Sequence, residues 1–131
     1  MTRYVFRYVP FRGAAFPIVP ISLKTSTSFW FTTNALLDSG ATISLFDGAV
    51  ARILGISIGK GKRIRPVGIG GAIRAYTHKL TLKVGDEEFE GEVAFSSGRG
   101  IPINLLGRTS VFERFLVSFD ESNQRTILET A

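Results

Sequence analysis

The residues with the clearest chemical potential are positions 35–41, which read ALLDSGA. An apolar run leads a single carboxylate, Asp38, into a Ser-Gly turn, so that the side chain is presented at the end of a buried strand. Asp, Ser and Gly are also the commonest turn residues, and the tripeptide alone most often marks only a turn. Asp47, Asp86 and Asp120 all fall at predicted caps or turns. Asp38 is therefore the one aspartate in an apolar context.

The rest of the composition limits what Asp38 can do. The chain has no cysteine and one histidine, His78, which excludes thiolate and His-based zinc sites and disfavours a Ser-His-Asp triad. A metal-free route to peptide hydrolysis uses two carboxylates that share a proton, one as base on a water and the other as acid. The chain supplies one such aspartate, so a working site needs a second copy across a two-fold axis. We expect no metal and no cofactor.

The length and hydropathy predict one compact domain. At 131 residues, the chain is expected to fold as a single domain over residues 1–131. Within it, residues 1–17 are a possible N-terminal extension or interface strand, and residues 116–128 a C-terminal hairpin. No apolar run approaches the ~18 residues of a membrane span, and no basic-then-apolar signal segment opens the chain. We therefore expect no membrane span, and an intracellular, cytoplasmic setting is the default expectation.

The charge pattern allows a second class of partner. The net charge is +5, and residues 59–65 read GKGKRIR, which could contact phosphates. This stretch is short and lacks interleaved aromatic residues, and a charged segment is usually a solvated loop. Nucleic-acid binding is therefore disfavoured.

The elements that must position Asp38 are mostly strands. Alternating or apolar runs predict strands at residues 2–9, 18–23, 29–37, 63–67 and 72–76, and hairpins at residues 80–95 and 116–128. The turn of the first hairpin is Gly85-Asp86. The pattern indicates an all-β, mainly antiparallel fold.

Two short helices are expected among these strands. Asp47 can cap a helix over residues 48–54, which Gly55 would end. A second helix is expected after Gly107, capped by Thr109 or Ser110.

Three segments carry a resemblance to a known family. ALLDSGATISLF at residues 35–46, VGIGGAI at residues 67–73 and INLLGR at residues 103–108 resemble the retropepsins, the retroviral-type single-domain aspartic proteases, in order and spacing. The similarity runs from about residue 18 to residue 128, where the last hairpin resembles the C-terminal extension of cellular and prokaryotic members. The resemblance implies a closed acid-protease barrel with one or two short helices, a flap hairpin over the substrate, and a homodimer.

The resemblance also implies a role for each matched position. Asp38 matches the catalytic aspartate, and Ser39 matches a residue whose hydroxyl bonds across the dimer to the opposite loop. The remaining positions are active-site support (Gly40, Ala41), flap and substrate binding (Gly68, Ile69, Gly70, Gly71) and the element that packs behind the catalytic loop (Leu105, Leu106, Gly107, Arg108). Pocket-lining candidates are Ser44, Leu45, Ile69 and Ile103.

The sequence departs from the retroviral pattern at one position of the site. Thr42 stands where retroviral members have an acidic residue that pairs with the arginine after Leu-Leu-Gly. Arg108 therefore either finds another carboxylate or lies at the surface. A separate motif, Phe16-Pro17, resembles the bonds at which retroviral proteases release their own N-termini, although a Pro-stiffened entry to the first barrel strand is the favoured interpretation.

The resulting leading hypothesis is a homodimeric aspartic endopeptidase. Two Asp38 residues, one per subunit, would activate the water, and a peptide or protein substrate would bind as an added β-strand. The alternative is a catalytically weak or inactive retropepsin-like module that binds peptide or dimerises.

Overall fold

The structure is a computed structural model that describes residues 1–68, 71–98 and 100–130. The strands are β1 (Arg3–Arg7), β2 (Val9–Phe11), β3 (Ala14–Phe16), β4 (Ile18–Lys24), β5 (Trp30–Leu37), β6 (Ser44–Phe46), β7 (Lys62–Ile64), β8 (Val67–Gly68), β9 (Gly71–Ala72), β10 (Ala75–Val84), β11 (Glu87–Ser96), β12 (Asn104–Leu106), β13 (Phe115–Asp120) and β14 (Arg125–Thr130). Helix α1 spans Gly48–Leu54, and a 3-10 turn spans Ile58–Lys60. None of the helices in these ranges is long and apolar enough to cross a membrane.

Six of these strands close into a barrel. Around it, hydrogen bonds join β10 to β11, β6, β12, β5 and β4 in that order, and β4 pairs again with β10. Every second residue of β4 points inward, so Val19, Ile21 and Leu23 are fully buried. The β11–β6 and β12–β5 pairs are parallel and the others antiparallel. The predicted all-β, mainly antiparallel closed barrel is confirmed.

Helix α1 closes part of the barrel with its apolar face. The Asp47 side chain accepts a hydrogen bond from the Ala49 N–H, and Gly55 ends the helix in the left-handed conformation with φ of 76°. Ala51 and Leu54 are fully buried in the core. The prediction for residues 48–54 is therefore confirmed at both ends.

The second predicted helix is present only as an irregular turn and not as a regular helix. The segment Arg108–Phe112 is a wide turn, in which Glu113 N–H donates to the Arg108 carbonyl over 3.1 Å. Thr109 has an extended ψ of 131°, and Ser110 has a φ of 83°. A regular helix cannot contain these angles. The Ser110 N–H instead donates to the Glu113 carboxylate over 3.0 Å.

The predicted hairpins are present and differ in setting. β10 and β11 meet at Val84↔Glu87 around Gly85-Asp86, as expected. A Cβ at Gly85 would lie 2.3 Å from the Tyr4 ring, so glycine is required there. β13 and β14 form the C-terminal hairpin, and β1 adds to β14, so these strands make a separate three-stranded sheet in the order β1-β14-β13. We call it the C-terminal sheet.

The N-terminal residues are tied to this sheet. After β1, the Tyr8 N–H donates to the Gln124 carbonyl over 2.8 Å, and the Tyr8 hydroxyl donates to Glu121 over 3.1 Å. Burial of the Tyr8 phenol raises its pKa, and the hydrogen bond to Glu121 raises it further. The N-terminal strand thus packs with the C-terminal hairpin.

The Phe16-Pro17 bond lies within paired structure. Phe16 ends β3 opposite Val9, and the Pro17 carbonyl accepts the Leu37 N–H over 3.0 Å. The Phe16 ring also packs edge-on against Phe11, with centroids 6.0 Å apart. Cleavage at this bond would require these pairings to separate first.

Candidate active site

Asp38 lies directly after β5, at the start of a tight loop. Its N–H donates to the Leu106 carbonyl over 3.0 Å, which ties the loop to the end of β12. Its own carbonyl accepts the Ala41 N–H over 3.1 Å. The carboxylate is half-buried, and its Oδ1 accepts the Gly40 N–H over 2.9 Å. Both the backbone and the side chain of Asp38 are therefore held in one orientation.

A side chain at Gly40 would crowd the Asp38 carboxylate. A Cβ added there would lie 3.2 Å from Asp38 Oδ1, which is tighter than ordinary contact. The neighbouring Ser39 is exposed. Ala41 contributes its carbonyl, which accepts the Arg108 N–H over 2.9 Å. The support positions predicted around Asp38 thus all belong to one loop.

The strands behind this loop cross in a way that explains the Leu-Leu-Gly element. β12 runs parallel to β5 with Leu105 opposite Leu36, and Leu105 also pairs with Leu45 of β6. Leu106 is fully buried in the core cluster. β12 is therefore inserted between the strand that enters the Asp38 loop and the strand that leaves it.

Gly107 packs with no room for a side chain. A Cβ there would lie 2.3 Å from the Ile43 carbonyl oxygen. Its N–H donates to the Ser44 hydroxyl over 3.0 Å, and Ser44 Oγ also lies 3.1 Å from Ser110 Oγ. Ser44 is fully buried. The hydroxyl of Ser44 therefore links β6 to the segment that follows β12.

The pocket-lining assignment of Ser44 is wrong, because its side chain is fully buried. The other candidates differ in exposure. Leu45 is 6% exposed and belongs to a small apolar cluster, while Ile103 is half-buried. Ile69 lies outside the described residues. The role of Ser44 was missed because its partners are distant in sequence.

Arg108 finds a hydroxyl rather than a carboxylate. Its Nη2 lies 3.3 Å from Thr42 Oγ1, and the Arg108 side chain is exposed. The Thr109 N–H donates to the Thr42 carbonyl over 2.8 Å, which holds the two segments side by side. Among the described residues, the salt bridges are formed by other arginines. Of the two alternatives for Arg108, the structure favours the surface position.

The flap candidates lie on a short hairpin. β8 and β9 pair through Val67↔Ala72 and Gly68↔Gly71. Gly71 has a φ of 99°, which L side chains rarely adopt. Ile69 and Gly70, which were also predicted here, lie outside the described residues. The described glycines thus flank the tip of a hairpin whose arms continue into β7 and β10.

A second apolar cluster connects the arms of the β8–β9 hairpin to the loop after Asp38. Its buried members are Leu45, Ala75 and Ala94, and partly buried isoleucines pack against them: Ile43, Ile64, Ile73 and Ile101. These residues come from β6, β7, β10, β11 and the loops beside them. The cluster is separate from the main core and is only partly covered, as an apolar binding surface requires.

The described part of the chain has no metal-binding group. No three His, Cys, Asp or Glu side chains in residues 1–68, 71–98 and 100–130 come together to hold an ion. Asp47 is occupied otherwise, since its carboxylate accepts N–H groups from Ala49 and Ile101.

Comparison with known proteins agrees with this geometry. The family model described as "Aspartyl protease" matches residues 31–109, which include the Asp38 loop, the flap hairpin and the Leu-Leu-Gly element. The chain belongs to the aspartyl protease family.

The fold of this aspartyl protease family member also has a solved counterpart. It is similar to the crystal structure of a retropepsin-like aspartic protease from Rickettsia conorii, with a TM-score of 0.71 and 21% sequence identity. The match covers 97% of this chain and 90% of that chain. The retropepsin-like fold is therefore confirmed. No curated protein sequence matches the chain significantly.

Proposed function

We propose that the protein is an aspartic endopeptidase that works as a homodimer. The observation that carries this proposal is the position of Asp38, on a loop held by the Leu106 carbonyl and the Gly40 N–H. It is the only acidic residue among the predicted site positions. One carboxylate cannot be base and acid in the same step, so a second Asp38 from another copy supplies the other role.

The proposed reaction proceeds through a water held between the two carboxylates. The ionised carboxylate takes a proton from the water, whose oxygen attacks the carbonyl carbon of the scissile peptide. The other carboxyl group gives its proton to the carbonyl oxygen, which forms a tetrahedral intermediate with two hydroxyl groups. The first carboxyl group then passes the proton taken from the water to the peptide nitrogen, the C–N bond breaks, and a hydroxyl proton of the intermediate returns to the second carboxylate. Because two crowded carboxylates release their protons in separate steps, one member of the pair is protonated over a range of acidic pH.

The apolar cluster below the flap indicates the side chains that this site prefers. Ile43 lies in the loop after Asp38, Ile64 and Ile73 lie on the flap arms, and all three are partly buried in one cluster. An extended peptide laid between the loop and the flap would place alternate side chains on this surface. We propose apolar side chains next to the scissile bond.

The Asp38→Asn variant tests the proposal. We expect it to lose about 10²–10⁴-fold in kcat/KM on an apolar fluorogenic peptide at mildly acidic pH, because it removes the general acid and base. Asp86→Asn is the matched control, since it removes one exposed carboxylate in the β10–β11 turn. A hydroxyl-bearing statine-type inhibitor should block wild type and Asp86→Asn alike.

The outcome also judges the alternative module. If wild type and Asp38→Asn have equal rates, the peptidase proposal is wrong. Binding of the peptide by both proteins without turnover would then support a retropepsin-like peptide-binding domain.

A further inference from the structure

One long stretch of the chain carries only positive charge. Residues 48–85 contain eight Lys and Arg and no Asp or Glu. Two of the eight, Lys79 and Lys83, lie directly opposite Glu92 and Glu88 of β11. The salt bridges of the described residues involve none of the other six: Arg52, Lys60, Lys62, Arg63, Arg65 and Arg74. All six are exposed.

Three of these cations share the flap hairpin. In the β7–β10 pairing, Arg63 is opposite Tyr76. The same register holds at Val67↔Ala72, so Arg65 and Arg74 occupy opposing positions between these pairs. Like charges directly opposite each other destabilise an antiparallel pair. The hairpin therefore places two exposed like charges at facing positions, and an anion bound between them would offset their repulsion.

These arginines lie on the face of the hairpin away from the catalytic loop. Ile64 and Ala75 belong to the apolar cluster that contains Ile43 and Leu45. Because side chains alternate along a strand, Arg63 and Arg65 point to the other face. We call the exposed surface formed by Arg63, Arg65 and Arg74 the basic flap face.

The basic flap face continues into a cavity. Tyr76, which lies opposite Arg63, lines a cavity of about 440 Å³ together with Arg52, Ser97 and Asp47. The Asp47 carboxylate already accepts the N–H groups of Ala49 and Ile101. The Ser97 N–H donates to the Arg74 carbonyl over 2.8 Å, so the cavity wall is joined to the hairpin. The basic flap face thus borders a cavity.

We propose that the basic flap face binds an acidic segment of the protein substrate, outside the cleft that holds the scissile bond. This inference rests on the proposed peptidase function. Arginine fits carboxylates with paired hydrogen bonds. A carboxylate between Arg65 and Arg74 relieves their repulsion and so favours the formed hairpin when substrate is present. The unbalanced charge also accelerates encounter with an acidic chain.

A protein segment fits this surface better than a nucleic acid. Stacking platforms for single strands need several aromatic side chains along the groove. Tyr76 is the one aromatic residue in the described lining of the cavity. Acidic side chains on a flexible segment need only the cations.

Two substrates that differ in one segment test the proposal. Both carry the same apolar cleavable core and a Gly-Ser linker, followed by a tail rich in Asp and Glu in one and in Asn and Gln in the other. We expect the acidic tail to raise kcat/KM by about tenfold at low ionic strength, and less at high salt. In Arg65→Gln/Arg74→Gln this ratio should fall towards one.

The matched control is Lys79→Gln/Lys83→Gln, which removes two cations that already face glutamates. It should keep the advantage of the acidic tail. Equal kcat/KM values for the two substrates in wild type would overturn the proposal. So would an equal loss of the acidic-tail advantage in the two double variants.

A binding measurement separates this proposal from the proposed function. Fluorescence anisotropy of the Asp38→Asn protein with a labelled acidic tail needs no turnover. If neither substrate is cleaved but the tail binds and Arg65→Gln/Arg74→Gln weakens it, the peptidase function fails and the acidic-segment site stands. Tighter binding of a single-stranded oligonucleotide than of the acidic tail overturns the site.

Discussion

Ser44 shows how a single buried hydroxyl supports the candidate site. It accepts the Gly107 N–H over 3.0 Å and pairs with Ser110 over 3.1 Å, with no exposure to solvent. We expect Ser44→Ala to lower the free energy of unfolding by about 1–3 kcal/mol, because it leaves a buried N–H without a partner. Denaturant unfolding at a fixed protein concentration measures this loss, and kcat/KM should fall with it.

Ser22→Ala is the control for this variant. Ser22 Oγ of β4 bonds Oγ1 of the exposed Thr32 over 2.7 Å in a solvent-exposed hydrogen bond, so water can replace the lost partner. Equal effects of the two substitutions would contradict the assigned role of Ser44.

At the level of residues, the sequence predicts roles that depend on neighbouring residues better than roles that depend on distant contacts. Asp38 was recognisable because its turn and its apolar strand adjoin it in the chain. Ser44 was not, because its partners Gly107 and Ser110 lie 63 and 66 residues away. For Arg108 the sequence left two alternatives, another carboxylate or a surface position. The resemblance paired positions 42 and 108, but it did not predict a hydrogen bond from Arg108 to the Thr42 hydroxyl.

At the level of elements, the turn between β13 and β14 carries a pH-dependent contribution to stability. Asn123 and then Arg125 hydrogen-bond the Asp120 carboxylate and lower its pKa to about 2. The unfolded value is about 3.9. Because the folded pKa is the lower one, the stabilisation is fully present above about pH 4 and is lost as the pH falls towards 2.

The Asp120→Asn variant tests this sign. We expect it to be less stable than wild type near neutral pH and at about pH 4, and the difference to shrink as the pH approaches 2. Urea midpoints at these pH values measure the difference. A gap that stays constant across the acid range would contradict the assignment. Asp86→Asn is again the control, because Asp86 lies exposed in the other hairpin turn.

The elements that sequence predicted well are those with their own stop signals. Asp47 and Gly55 bound α1, and Gly85 sets the β10–β11 turn, so each depends on neighbours within a few residues. The segment after Gly107 departs from the predicted regular helix because Ser110 has a φ of 83°. The Ser110 hydroxyl contacts the buried Ser44. The capping pattern could not predict this contact, because Ser44 is distant in the sequence.

At the level of the whole molecule, the C-terminal sheet offers a surface for the second copy that the proposed dyad requires. Its inner face packs on the core through Tyr4, Leu128 and Val117. Its outer face exposes Val5 at 47% and Leu116 at 67%. Exposed aliphatic side chains on a sheet face suit a self-complementary contact about a two-fold axis.

We therefore expect Leu116→Lys to weaken self-association about tenfold or more, because an interface lysine loses its hydration and the single carboxylate opposite it, Glu129, does not fully replace that hydration. Sedimentation velocity at micromolar concentration should show the variant shifting to monomer, with kcat/KM falling in parallel because a monomer holds half of the dyad. Ile53→Lys is the control, since Ile53 is 56% exposed on α1 and lies outside the sheet. A Leu116→Lys protein that stays dimeric and active would assign the interface to another surface, whereas an active wild-type monomer would contradict the shared dyad itself.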